Sequence, residues 1–270
     1  MTYNELDERL HWTSQILARI NRSYLTEKAD GSHINIGLDI AHSTLVGRWI
    51  NMEEDQWLPM VDLDKFVFKI LGNNLKKRFE VPLRDQNMDM LQALVADFMK
   101  DIPIKGAAFN DPLPYELPDY SFKHDPFYQF SRDELDHWMH WRSLSKRVIQ
   151  DVLSSISVSG EVRIWPDRFN TGIRINASEE NEISLGLAMH DQLSDEAYFY
   201  ITAYRSDDVK IPFKYAPNLR KGSWITKGDW KGAILPIDRL NGSSDLTDVQ
   251  AFIFRSLEWL VELDVDRGFL

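Results

Sequence analysis

The sequence predicts an α+β fold: antiparallel, strand-rich sheets packed with about four amphipathic helices. Three observations carry this expectation. Short β-like runs follow one another through tight turns rather than through crossover helices, which favours antiparallel pairing over a doubly wound sheet. Longer stretches with helical spacing of apolar residues flank those runs. A segment dense in proline and aromatic residues separates two halves, each of which combines helices with strands.

The first helix is expected over 4–24, where Leu6, Leu10, Leu17, Ile20 and Tyr24 fall on one stripe with the charges opposite. β-like runs follow in HINIGLDI from His33, TLVGRWI from Thr44, WLPMVDL from Trp57 and KFVFKIL from Lys65. In HINIGLDI, strict alternation sets Ile34, Ile36, Leu38 and Ile40 against His33, Asn35, Gly37 and Asp39, as in a strand with one wet face. Lys76, Lys77 and Arg78 form the densest basic cluster and read as a solvated loop. A second amphipathic helix is expected over 86–100, with Met88, Leu91, Val95 and Phe98 inward.

Between 103 and 130 lie five of the eleven prolines, interleaved with Phe and Tyr. Proline lacks the N–H of a helix or ladder, so this segment is expected to be extended and wrapped over the surface. It is the candidate boundary between an N-terminal half (1–102) and a C-terminal half (131–270). A third helix opens on Ser131-Arg132-Asp133-Glu134, a capping-box pattern. It carries Leu135, Trp138, Arg142, Ser145, Ile149, Val152 and Ile156 inward. Strands are expected at 161–165, 171–176, 182–189, 197–204, 222–226 and 231–235. A last helix begins near Asp248.

Composition narrows the function. With 42 acids against 31 bases the net charge is −11, so nucleic acid and anionic membrane surfaces are not expected partners. The chain has no cysteine, which removes disulfides, thiol catalysis and thiolate metal sites. No basic and apolar leader opens the sequence and no run approaches the roughly 20 apolar residues of a membrane span. A soluble, cytoplasmic protein is the expectation. Phosphate loop, dinucleotide glycine fingerprint, nucleophile elbow and zinc-protease helix are all missing from the sequence. No cofactor is indicated.

The candidate sites lie mainly in the second half. In NEISLGLAMH, Ser184, Gly186 and Ala188 share one face. In AYFYITAY, Tyr198, Tyr200, Thr202 and Tyr204 share another. A hairpin through HDQLSDE would set small residues beside tyrosine rings, making a shallow groove or a face covered by another element. The loop supplies His190, Asp191, Asp195 and Glu196. Asp191 and Glu196, with His33, are candidate acid–base groups. His137 and His140, three apart in DHWMHW, are a candidate metal pair, weighed against packing of Trp138 and Trp141 with the histidines at the edge.

The stretch Trp165-Pro166-Asp167-Arg168-Phe169-Asn170, with Gly186 to Asp191, Glu196 to Tyr200 and GSWITKGDWKGAILP, resembles a family of uncharacterised bacterial proteins. That family has a Trp-Pro motif followed by His-Phe-Asp. Ser32, His33, Ile34, Asn35 and Asp39 are similar to its short Ser-His-Thr-Asn strand. The resemblance implies no activity, but it exposes a departure: Arg168 and Asn170 stand where the pattern has histidine and aspartate. Arginine is always cationic and offers no lone pair, so metal or base chemistry through that motif is not expected here.

These readings converge on a non-catalytic binding protein with a groove on the C-terminal sheet for a small polar or anionic ligand. Trp165, Arg168, Asn170, Asp191, Tyr198 and Tyr200 would line it. An enzyme using a carboxylate or a metal near Asp191 and Glu196 is the alternative. A structural module that self-associates as a homo-oligomer is the third reading.

Overall fold

A computed structural model of the chain describes residues 1–176, 181–205, 211–226, 228, 230–240 and 242–265. Its elements confirm the α+β expectation. Four helices are present among the described residues: α1 (Tyr3–Tyr24), α2 (Met88–Phe98), α3 (Arg132–Ser155) and α4 (Asp245–Val265). The strands form two antiparallel sheets. No helix among the described residues is long and apolar enough to cross a membrane. The fold divides into two compact units, Met1–His140 with Arg163–Phe169, and Trp141–Val162 with Asn170–Leu270.

In the first unit, β1 (Gly37–Asp39), β2 (Thr44–Val46), β4 (Gln56–Asp62), β5 (Val67–Leu71) and β6 (Lys77–Pro82) lie side by side in that order, with β3 (Ile50–Asn51) paired to β4. Leu45, Val61, Phe68 and Ile70 are fully buried, as are Leu6, Leu10, Ile16, Leu17 and Ile20 of α1. α1 packs on β4 and α2. α2 starts two residues later than expected because Asn87 caps it, its side chain accepting from the Met90 N–H at 3.0 Å.

Three local expectations change in this unit. α1 does not turn a charged face to water: Asp7, His11, Gln15, Asn21 and Arg22 are buried. Asp7 is bonded to Trp138 and Asn21 to the chain at 34–35, while His11, Gln15 and Arg22 are covered by the proline-rich segment, which belongs to this unit and lies on α1. Its carbonyls at Ala108 and Asp111 accept from Arg22 at 2.7 and 3.0 Å. Those at Phe109 and Asp111 accept from Arg19 at 2.9 and 2.7 Å. HINIGLDI is not one strand with a wet face. Ser32–Ile34 is a 3-10 turn, only Gly37–Asp39 is strand, and both alternating sets from His33 to Leu38 are buried. Ile36 bridges antiparallel to Ile164, while the Asn35 carbonyl accepts from Asn21 at 3.2 Å, so both sides of this stretch are covered. The Lys76 cluster is not all loop: Lys77 and Arg78 open edge strand β6, where Arg78 pairs with Asp55 at 2.6 Å.

α3 begins as expected. The Glu134 N–H donates to the Ser131 hydroxyl at 3.3 Å, and the Ser131 N–H donates back to Glu134 at 2.7 Å. Leu135 through Val152 of the expected stripe are buried, whereas Ile156 lies beyond the helix and is exposed. β7 (Arg163–Trp165) belongs to the first unit.

In the second unit, β8 (Asn170–Asn176), β9 (Asn181–Ala188), β10 (Tyr198–Arg205), β12 (Gly232–Pro236) and β11 (Ser223–Ile225) are hydrogen-bonded in that spatial order. Each lies within one residue or two of its expected position. α4 packs on β10 and β12, burying Val249, Ile253, Leu257 and Leu260 as its spacing required.

Candidate functional site: the Trp-Pro corner

Residues 166–169 make the turn that follows β7. Its conformation is set from α1, where Asp7, His11 and Gln15 stand four residues apart and therefore on one helix face. His11 Nε2 lies 2.8 Å from the Pro166 carbonyl and Nδ1 lies 2.7 Å from the Tyr120 hydroxyl. A carbonyl can only accept, so Nε2 carries a proton, and in the neutral ring Nδ1 accepts from Tyr120. The Gln15 amide donates to the same Pro166 oxygen at 2.9 Å, and its carbonyl accepts from Tyr115 at 2.8 Å. Both lone pairs of the Pro166 oxygen are thus used.

Phe169 closes the turn with φ +53°, a left-handed backbone that a bulky side chain adopts only when its surroundings over-determine it. Those surroundings are two parallel rings. His11 stacks on it at 5.4 Å between centroids, and Trp138 stacks at 6.2 Å. Trp138 is itself held by an Nε1–H bond of 2.7 Å to Asp7. Burial raises the pKa of Tyr120, with Glu8 and Asp7 adding to it. Burial also raises that of Tyr115, helped by Asp167. Both hydroxyls therefore remain hydrogen-bond donors through the physiological range. Arg168, between these anchors, is exposed, and it pairs with no carboxylate among the described residues.

The expected tyrosine face exists, with the expected register: Tyr198 opposite Ala188, Tyr200 opposite Gly186 and Thr202 opposite Ser184. It is a buried cluster rather than an open groove wall. Tyr198 and Tyr200 are 4% and 7% exposed, and Leu193, Ile225 and Trp230 pack against them. The Tyr200 hydroxyl lies 3.4 Å from Ser184 and also bonds the Asn170 side chain. Its ring lies over facing glycines 172 and 186. A Cβ on Gly172 would stand 2.9 Å from the Tyr200 hydroxyl. Of the expected ligand residues, then, the second unit joins Asn170 to Tyr200 and Asp191 to Tyr198. Trp165 and Arg168 belong to the first unit.

Two of the candidate acid–base groups, Asp191 and His33, have their side chains engaged in local structure. Asp191 accepts from the Leu193 N–H at 2.8 Å and from the Tyr198 hydroxyl at 2.9 Å, closing the turn to Ser194. The Glu196 N–H bonds Ser194 in the same loop. His33 is buried in the first unit, where its Nδ1 accepts from the Lys28 N–H at 3.3 Å and burial lowers its pKa. His137 and His140 lie on the exposed side of α3, with His137 edge-on to Tyr3 at 6.0 Å. Among the described residues, no group of three or more His, Asp or Glu is placed to hold a metal ion.

No protein-family model, curated protein or solved structure matches the chain. Sequence reasoning missed His11, Gln15, Tyr115 and Tyr120, the groups that hold the corner. The available signal was the row Asp7, His11, Gln15 at four-residue spacing along α1.

Proposed function

We propose that the chain is a non-catalytic recognition protein that engages a carboxylate or phosphate group through Arg168. The observation that supports this reading is the over-determined corner. A fully buried histidine, a buried glutamine and a strained phenylalanine all act to fix the four residues that present one exposed guanidinium. Buried polar groups and left-handed aromatic residues are costly, and such departures from local preference concentrate where function requires a defined geometry. A guanidinium carried on such a fixed turn offers a planar donor fork matched to two oxygens of an anion, with little backbone freedom left to order on binding. Arginine and asparagine at the positions of histidine and aspartate in the resembled motif fit recognition rather than chemistry.

The test is a thermal-shift and titration series with inorganic phosphate, phosphoserine, acetate and citrate on wild type, Arg168→Ala and Arg168→Lys. A hydrogen-bonded ion pair is worth about 1.5–3 kcal/mol, so Arg168→Ala should weaken the bound anion by roughly 10- to 100-fold. Arg168→Lys should fall between, since it keeps the charge and loses the fork. Equal binding by wild type and Arg168→Ala, or no response to any of the four anions, overturns the proposal.

A further inference from the structure

A second place in the molecule combines concavity with positive charge. In the second unit a cleft of about 240 Å³ lies between the chain at 218–221 and one side of α4. Its walls carry Arg220, Lys221 and Arg255, with Asp248 as the acid and Ala251 and Phe252 as apolar surface. Three bases against one acid is the reverse of the balance of the whole chain, which carries 42 acids and 31 bases.

The construction of the cleft is specific. Gly222 has φ +83°, and a Cβ there would meet the Ile234 carbonyl at 2.6 Å and the Phe252 ring at 2.8 Å. Only glycine lets the backbone lie this close, so the chain just before it is held down along α4. Asp248, 7% exposed, accepts from Lys221 at 2.8 Å and from Ser244 at 2.7 Å. These two donors, opposed by burial and helped by the charges of Lys221 and Arg220, hold its carboxyl below the usual range, so it stays ionised and, hydrogen-bonded to Lys221, offsets that charge first. The remaining bases are Arg220, which makes no ion pair among the described residues, and Arg255, which pairs with exposed Glu258 one turn along. An exposed i,i+3 pair is weak and yields to a better acceptor. The cleft's apolar lining is Leu219, Ala251 and Phe252, of which Phe252 is buried and Ala251 exposed.

We infer that this cleft binds a small molecule with an anionic head, phosphate or carboxylate, and a short apolar body. The head would lie between Arg220 and Arg255, with the body against exposed Ala251 and half-buried Leu219. The volume is below the roughly 300–1,000 Å³ of sites that take drug-sized ligands, which limits the body to about one ring. This inference is independent of Arg168.

Titration calorimetry on the full chain with phenyl phosphate, benzoate and inorganic phosphate tests it. Phenyl phosphate or benzoate should bind more tightly than inorganic phosphate, because the ring adds apolar contact. The tighter of the two identifies the head group. Arg220→Gln and Arg255→Gln, both exposed positions whose folding is checked by circular dichroism, should each weaken binding about 10-fold. Ala251→Trp should fill the cleft and abolish the advantage of the ring without changing any charge. Arg168→Ala should leave all of this unchanged, and loss of binding in that variant would instead place the anion at the Trp-Pro corner. Wild-type affinity in both glutamine variants, or an advantage of the ring that survives Ala251→Trp, overturns the assignment.

Discussion

His11 and Phe169 stack face to face, 5.4 Å between centroids with planes 20° apart, although 158 positions separate them in the chain. One helix residue thus sets both the ring and, through Nε2, the carbonyl of the corner. His11→Ala should remove the stack and leave the Tyr120 hydroxyl without its acceptor and the Pro166 carbonyl with one donor fewer. We expect a loss of roughly 3 kcal/mol from cavity and unmade bonds together, measured by urea unfolding. A change below about 1 kcal/mol would mean that the corner does not depend on this ring.

The glycines under Tyr200 give a second prediction. A Cβ at Gly186 would overlap the Thr171 carbonyl and approach Gly172 Cα to 2.7 Å, both of them backbone that cannot step aside. Gly186→Ala should therefore destabilise by about 3 kcal/mol, at the upper end of overpacking effects. Gly172→Ala meets the Leu185 carbonyl at 2.7 Å and the Tyr200 hydroxyl at 2.9 Å. Adding Tyr200→Phe should recover part of its loss, and a double mutant no better than Gly172→Ala alone would show that the hydroxyl is not the obstacle.

Arg22 holds the proline-rich segment through carbonyls at Ala108, Asp111 and Pro112. A lysine has the charge but not the span of a planar fork. Arg22→Lys should cost about 2 kcal/mol and open residues 103–130 to protease before global unfolding. Unchanged cleavage kinetics would contradict the role assigned to this guanidinium.

Glu134 gives a pH dependence with a defined sign. The Ser131 backbone N–H, then the Met1 ammonium at 3.1 Å and the Ser131 hydroxyl, overcome the opposing effect of burial and hold its carboxyl down to about 2, against 4.5 for a free glutamate. A group with a depressed folded pKa contributes stability above its unfolded pKa and loses it as pH falls toward the folded value. The contribution of the contacts around the Glu134 carboxylate should therefore be complete above about pH 4.5 and fade between there and about pH 2. Glu134→Gln should flatten that part of the acid limb of the stability curve. An unchanged acid limb would show that the pairing contributes nothing.

The contrast between α3 and α1 shows what sequence pattern can and cannot carry. Ser131 and Glu134 act within one turn, so their reciprocal bonds follow from spacing alone. The register of β9 on β10 is similarly local: one hairpin places tyrosines opposite small residues, and the alternation of the two strands says so. For α1 the period gave the apolar stripe, but the fate of Asp7, His11 and Gln15 depended on what covers the opposite side. HINIGLDI failed in the same way, because alternation reports which side chains share a face, not whether that face is wet.

The sequence alone thus determined the α+β class, the helices, the strand positions of the second half and the cap at Ser131, since each rests on a local pattern. Only the tertiary structure decided that Tyr198 and Tyr200 form a buried cluster, that Asp191 closes a turn, and that His11 builds the Trp-Pro corner. The physical reason is the distance along the chain. The bonds that fix His11 join residues 109 and 155 positions apart, and no local periodicity encodes partners so remote.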